Sequence, residues 1–217
     1  FKGVIQNLMS QQKPTIRFMT KYGLQGASVR HRFHQYFRYF EDEGIFCRLS
    51  PLFKDHYLKK LLKTGNRSPF SIVRAFLKRL SSLFKASSEN TNLMVIYTEL
   101  FPYFPPLMEW LIKLKGIRFV LDYDDAIFHQ YDQNKSKFVK WFLGKKINRI
   151  MRNAEIVISG NQYIADYALN AGAKRVEIIP TVIDLDHYPM KLDKKSEIFT
   201  IVWIGSPYTT QYLKAIE

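Results

Sequence analysis

From Thr15 onward, short apolar runs alternate with longer segments whose apolar residues recur at helical spacing. Seven runs predict strands: 15–20, 45–49, 93–98, 117–122, 155–159, 175–179 and 198–204. Between them lie segments with helix signals. In 28–43, Val29, Phe33, Phe37 and Phe40 share one face, Ser28 supplies an N-cap and Gly44 a stop. A helix over 106–115 follows Pro105 and Pro106 and stops at Gly116, and another over 161–171 stops at Gly172. Strand, helix, strand in repetition predicts an α/β fold: a Rossmann-like parallel sheet with helices on both faces. The chain shows no internal repeat and no low-complexity tract.

The pattern changes after residue 180. Residues 181–197 lack a period and carry seven charged side chains, and the run 198–204 then opens onto Gly205, Ser206 and a helix start. That sequence of signals is the opening of a βαβ unit, and one strand cannot make a sheet alone. The expected organisation has four parts. A leader or tag-like segment occupies 1–14, with Met9 as an alternative start. The Rossmann-like domain covers 15–187, a linker 188–197, and 198–217 supplies the first strand and helix start of a truncated second domain.

Composition adds bounds. The 217 residues are 47% hydrophobic and 24% charged, enough apolar material for a buried core. No apolar run approaches the roughly 20 residues of a membrane-spanning helix. The single cysteine, Cys47, excludes an internal disulfide and a cysteine-based zinc cluster. With no apolar signal core at the N terminus, the expectation is a reduced, cytoplasmic protein.

Charge changes the picture more. The chain carries a net +14. Residues 54–85 hold nine Lys or Arg against one acid, Asp55, and residues 135–152 hold seven against none. Both interleave cations with apolar residues: Phe70, Val73, Phe76, Leu77, Leu80 and Phe84 in the first, Phe138, Trp141, Phe142 and Ile150 in the second. Part of each stripe must cover the sheet. Lys and Arg on one face with aromatics on another also suit adsorption to anionic lipid, peripherally at the inner face of a membrane. The expected membrane contacts are Lys78, Arg79, Lys137, Lys140, Trp141, Lys145 and Lys146. With no RNP-type aromatic motif, recognition-helix signature or zinc finger, no nucleic-acid partner is expected.

Ligands of open parallel sheets bind beyond the carboxyl ends of the strands, so the strand-to-helix turns hold the candidate chemistry. After the first strand, Gly23 and Gly26 permit close backbone approach, a helix starts near Ser28, and Arg30 and Arg32 add charge, a combination suited to an anion. The spacing is neither a dinucleotide fingerprint nor a P-loop. After the fourth strand, Asp122, Asp124 and Asp125 crowd together with His129 nearby. Like charges this close raise at least one pKa, which suits proton transfer; capping by aspartates is the plain alternative. Asp122-x-Asp124 at a strand end also resembles the nucleophile motif of haloacid-dehalogenase-type phosphatases. That motif normally opens its domain, and the later motifs of that family are not recognisable here. After the fifth strand, Ser159, Gly160 and Asn161 form a polar turn before a helix.

The stretch from 159 to 206 carries a more specific likeness. An apolar strand, Ser159, a helix ending in Ala171-Gly172, a strand, Ile179-Pro180-Thr181-Val182-Ile183-Asp184, a linker, an apolar strand and Gly205 follow in that order. This resembles the middle of GT-B glycosyltransferases of the large retaining, nucleotide-sugar-dependent group, a family-four-like pattern. The resemblance implies an N-terminal acceptor domain of a GT-B fold covering about 15–187. It also implies transfer of a sugar from a nucleotide-sugar donor to a glycan or lipid-linked acceptor, as in cell-envelope polysaccharide synthesis. The implied catalytic group is Asp124, Asp125 and His129. Gly23, Gly26, Arg30, Ser159 and Asn161 would bind substrate, and Gly205 with Ser206 the donor phosphates. No cofactor or metal is implied. Two departures stand out: Thr181 and Val182 replace the usual Asn-Gly, and Asp124 and Asp125 stand where a histidine and an aspartate are common. Most donor contacts of the family lie beyond Glu217, so this stretch alone is expected to be inactive. A Rossmann-like binding module without catalysis is the rival reading.

Overall fold

The computed structural model describes residues 14–65, 68–88, 91–187, 202, 203 and 213. The segments 1–13 and 188–201 and the pair Gly205–Ser206 lie outside the described residues. Of the seventh predicted strand only Val202 and Trp203 are described; both are exposed and in no regular element.

Six strands are present: β1 Thr15–Tyr22, β2 Phe46–Phe53, β3 Thr91–Tyr97, β4 Arg118–Tyr123, β5 Ile156–Ser159 and β6 Val176–Ile178. They pair in the order β2-β1-β3-β4-β5-β6, each pair parallel. The α/β, Rossmann-like expectation thus holds. β1 and β2 run longer than predicted. Ser50 and Pro51 look like a turn in sequence, yet β2 is an outer strand, where proline is tolerated.

The helices are α1 Ala27–Arg32, α2 Phe37–Asp42, α3 Asp55–Thr64, α4 Pro69–Ser88, α5 Leu107–Leu114, α6 His129–Asp132, α7 Lys137–Leu143, α8 Lys146–Asn153 and α9 Gln162–Asn170. Strand alternation divides the core. Met19, Met94, Ile96, Phe119, Leu121 and Val157 face the larger layer, which includes residues of α4, α5 and α7–α9. Ile16, Phe18, Val95, Val120, Ile156 and Ile158 face the opposite layer with Phe33, Phe37 and Phe40. Because β1 leads outward to β2 while later strands run the other way, α1 and α2 cover one face and the remaining crossovers the other.

The predicted helix 28–43 is a correction. It starts one residue earlier, its N-cap is Gly26, and it breaks at Phe33, where φ is −130°. A 3₁₀ turn over His34–Tyr36 bridges α1 and α2. The tighter turn still lands three aromatics on one target: Phe33, Phe37 and Phe40 lie 5.5, 4.9 and 6.3 Å from the Phe18 ring. The helices predicted over 106–115 and 161–171 are α5 and α9, and Gly116 and Gly172 close them at φ +74° and +85°.

Two expected membrane contacts are also corrected. Arg79 and Lys146 are buried, because each turns inward to a partner that periodicity cannot reveal. Arg79 Nη2 donates to the Thr20 carbonyl at 2.5 Å. Lys146 is ion-paired to Glu99. Among the described residues no helix is long and apolar enough to cross a membrane.

Candidate functional site at the carboxyl edge of the sheet

The chain direction reverses its sideways progress between β1 and β3, so the crevice beyond their carboxyl ends is where this topology places a ligand. The segments meeting there are 23–32, 98–103, 122–129, 159–163 and 179–181.

The glycine turn after β1 is already filled from within the chain. Gln25 N donates to Asp55 Oδ1 at 3.0 Å, and a side chain on Gly23 would place its Cβ 2.6 Å from the same oxygen. The anion that this turn was expected to attract is therefore the Asp55 carboxylate. Gly26 N closes the turn onto Gly23 O at 3.0 Å, and Arg30 Nη1 braces it through Leu24 O at 2.9 Å.

At the end of β4 the three aspartates separate in role. Asp122 is buried in a bidentate pair with Arg32, at 2.5 Å from Nε to Oδ1 and 2.9 Å from Nη2 to Oδ2. The same guanidinium donates to Ile179 O and Thr181 Oγ1, at 3.1 and 2.9 Å from Nη1. One arginine thus ties α1, β4 and the chain leaving β6. Burial pushes the Asp122 carboxyl up to about 6, against the pull of Arg32. A buried carboxylate with both oxygens committed to a guanidinium is not placed to attack a phosphate, which removes the basis of the phosphatase reading.

Asp124 is different. It is half-buried, and Tyr97 Oη donates to its Oδ1 at 2.7 Å. Tyr97 is held by an edge-on contact with Phe33 at 5.7 Å, and its hydroxyl is raised above the usual phenol range by burial and then by Asp124. Asp125 remains exposed over much of its surface, and its carboxyl is raised by partial burial and then by Asp124. The Asp124 backbone is fixed by Gly160: a Cβ there would meet Asp124 Cα at 3.1 Å, and Gly160 N donates to Tyr123 O at 2.7 Å.

His129 is gripped at both nitrogens. Nδ1 lies 2.9 Å from Asp132 Oδ1 and Nε2 2.6 Å from Tyr163 Oη. Two expected substrate contacts are placed otherwise. Asn161 caps α9, its Oδ1 accepting Ile164 N at 3.0 Å. Ser159 is fully buried, which withdraws it from direct substrate contact.

Three features escaped the sequence reading. Thr98 has φ +67°, an outlier for a β-branched residue, and its N–H donates to Asp122 O at 3.0 Å. Beneath the β3 exit lies a buried polar cluster. Tyr131 Oη donates to Glu99, 2.8 Å from each carboxylate oxygen, and itself accepts Tyr103 N at 3.0 Å. Lys146, besides pairing with Glu99, donates to Phe101 O at 2.7 Å, and Glu109 accepts Leu100 N at 3.1 Å. These bonds pin residues 99–103. The third feature is a cleft of about 320 Å³ under α1 and α2. Phe18, Phe33, Tyr36 and Phe40 make its walls mostly apolar, and Arg32 and Asp122 meet it at the sheet's carboxyl edge. Its sequence signal was the aromatic spacing in 33–40, read there only as core.

Among the described residues, no group of three or more His, Cys, Asp or Glu side chains is arranged to hold a metal ion.

No family model matches the chain, and no curated protein matches it. Among solved structures, the crystal structure of Arabidopsis thaliana UGT89C1 complexed with UDP-L-rhamnose is a match, with a TM-score of 0.46 and 11% identity. The match covers 86% of this chain and 56% of that one, so the chain spans little more than half of that protein's length. A likeness this loose transfers no residue roles, and those rest on the chain's own geometry.

Proposed function

We propose that this chain forms the acceptor side of a glycosyltransferase that takes its sugar from a nucleotide-sugar. The observation that carries the reading is the division of labour at the end of β4. Asp122 is consumed in a buried ion pair that locks the chain leaving β6, while Asp124 is oriented by Tyr97. Among the described residues, Asp124 Oδ2 has no hydrogen-bond partner. A carboxylate positioned this way at the ligand edge of a parallel sheet can accept a hydroxyl proton from an acceptor sugar or alcohol. The Ile179–Asp184 stretch, on which the sequence resemblance rests, is the segment that Arg32 holds. The adjoining apolar cleft suits an acceptor with an apolar body, such as a lipid-linked glycan. Retention of anomeric configuration and a role in cell-envelope polysaccharide synthesis are part of this proposal only as what the sequence resemblance implies. Donor phosphates fall to Gly205 and Ser206 and to helix N-termini and basic side chains of a second domain that opens with 198–217.

Two measurements test this. In the gene's full-length product, Asp124→Asn is expected to lower turnover by at least about tenfold, the usual cost of losing a positioned proton acceptor, with an unchanged thermal melt. Unaltered kinetics would reduce the turn to a structural element. In calorimetry with a panel of nucleotide-sugars, the 217-residue chain is expected to show no submicromolar binding. Tight binding there would relocate the donor site into this domain.

A further inference from the structure

Most of the chain's surplus charge lies in two segments, and the fold turns a large part of their apolar residues outward. On α7, Phe138, Trp141 and Phe142 are 68%, 79% and 51% exposed, while Val139 and Leu143 pack against the core. The three rings lie close together, Phe138 and Phe142 stacked at 5.9 Å and Trp141 6.2 Å from each. Such an aromatic cluster standing off the core is a poor use of apolar surface in water. Its surroundings are cationic: Lys137, Lys140 and Lys145 are exposed, and no acid occurs between residues 135 and 152. On the same side of the sheet, α4 exposes Val73 and Leu77 and α5 exposes Trp110 and Leu114. Between α4 and α5 runs an apolar cleft of about 240 Å³, walled by Val73, Leu77, Phe104 and Met108 among others. Arg74 and Lys78 are exposed on α4.

We propose that this side of the molecule, led by α7, adsorbs to an anionic bilayer. Phe138, Trp141 and Phe142 enter at headgroup depth, Lys137, Lys140 and Lys145 meet lipid phosphates, and the α4–α5 cleft faces the acyl region. Charge selects the occupant. An aromatic cluster ringed by cations fits a negatively charged interface whose interior is apolar. A second copy of the chain would bring a like-charged face against it, and a nucleic acid would leave the apolar stripes of α4 and α5 unused. The inference stands independently of the transferase reading.

The test is flotation of the 217-residue chain with vesicles of phosphatidylcholine alone or with about 30% phosphatidylglycerol, which supplies the negative surface that engaged cations need. Expected are binding to the anionic vesicles only, its loss in about 1 M salt, where the Debye length is about 3 Å, and a blue-shifted Trp141 emission in a W110F/W203F background. The exposed triple variant F138S/W141S/F142S should keep its melting temperature and lose at least about tenfold in partitioning. K137E/K140E/K145E should do the same. Equal binding to neutral vesicles, no binding to anionic ones, or an unaffected triple variant would overturn the proposal. So would tighter binding to duplex or single-stranded nucleic acid at matched salt, or a dimer that the triple variant abolishes.

Discussion

Replacing Arg32 with methionine is expected to cost about 3–5 kcal/mol at pH 7, because it strands the Asp122 carboxylate in the interior. For a chain of this size, on the order of 10 °C of melting temperature is at stake. The loss should depend on pH in a defined direction. In the folded wild type, burial holds Asp122 up at about 6, above its unfolded value of 3.8. A carboxyl raised on folding takes up protons as the chain folds, so its contribution is fully present below about pH 4 and is lost as pH rises through about 6. Without Arg32 the carboxyl lacks the partner that draws it down, and this window widens upward. The variant's deficit should therefore shrink as pH falls from 7 to 5. Adding Asp122→Leu should recover much of the stability at pH 7, since it removes the stranded charge. It should not restore the anchor on Ile179 and Thr181. Melts by circular dichroism at the two pH values decide the matter. An equal deficit at both would mean that the pair is not held by charge.

Lys146→Met should be comparably damaging, for a related reason. Glu99 would keep the Tyr131 hydroxyl but lose its counter-ion, again at about 3–5 kcal/mol. Here the consequence reaches the site, because the same ammonium bonds Phe101 O and the same tyrosine bonds Tyr103 N. Hydrogen exchange should show the amides of 99–103 losing protection beyond the global change. Glu99→Gln in the Lys146→Met background should return part of the melting temperature, because a neutral amide replaces the stranded charge. If Lys146→Met melted like the wild type, the cluster would contribute nothing to holding this loop.

Both pairs mark where the sequence stops being informative. The apolar runs located six of the strands to within a few residues, because a buried parallel strand needs an unbroken apolar stretch on both faces. Gly116 and Gly172 ended their helices as expected. The run 28–43 looked like one helix because its aromatics keep a helical interval. The break at Phe33 still brings Phe33, Phe37 and Phe40 onto the one Phe18 ring, a convergence that periodicity within 28–43 does not reveal. Lys146 sits in an acid-free basic segment and gave every sign of being solvated, yet its partner lies 47 positions earlier. Arg32 and Asp122 are 90 apart. Each was singled out without its partner, because the sequence reveals charge and motif but not which charge meets which. The acidic turn was legible as a cluster of carboxylates at the sheet's edge, whereas Tyr97, which orients Asp124, looked like any strand aromatic.

The outer strands have a bearing on how the molecule behaves at high concentration. The margins of a sheet carry unsatisfied amides that can template a further strand from another molecule. In this sheet one margin is β2, where Pro51 deletes an N–H in mid-strand, and the other is β6, three residues long. Neither margin offers an uninterrupted ladder of any length. Among the described residues, then, both margins disfavour edge-to-edge growth of a continuous sheet, the route that leads to fibrils.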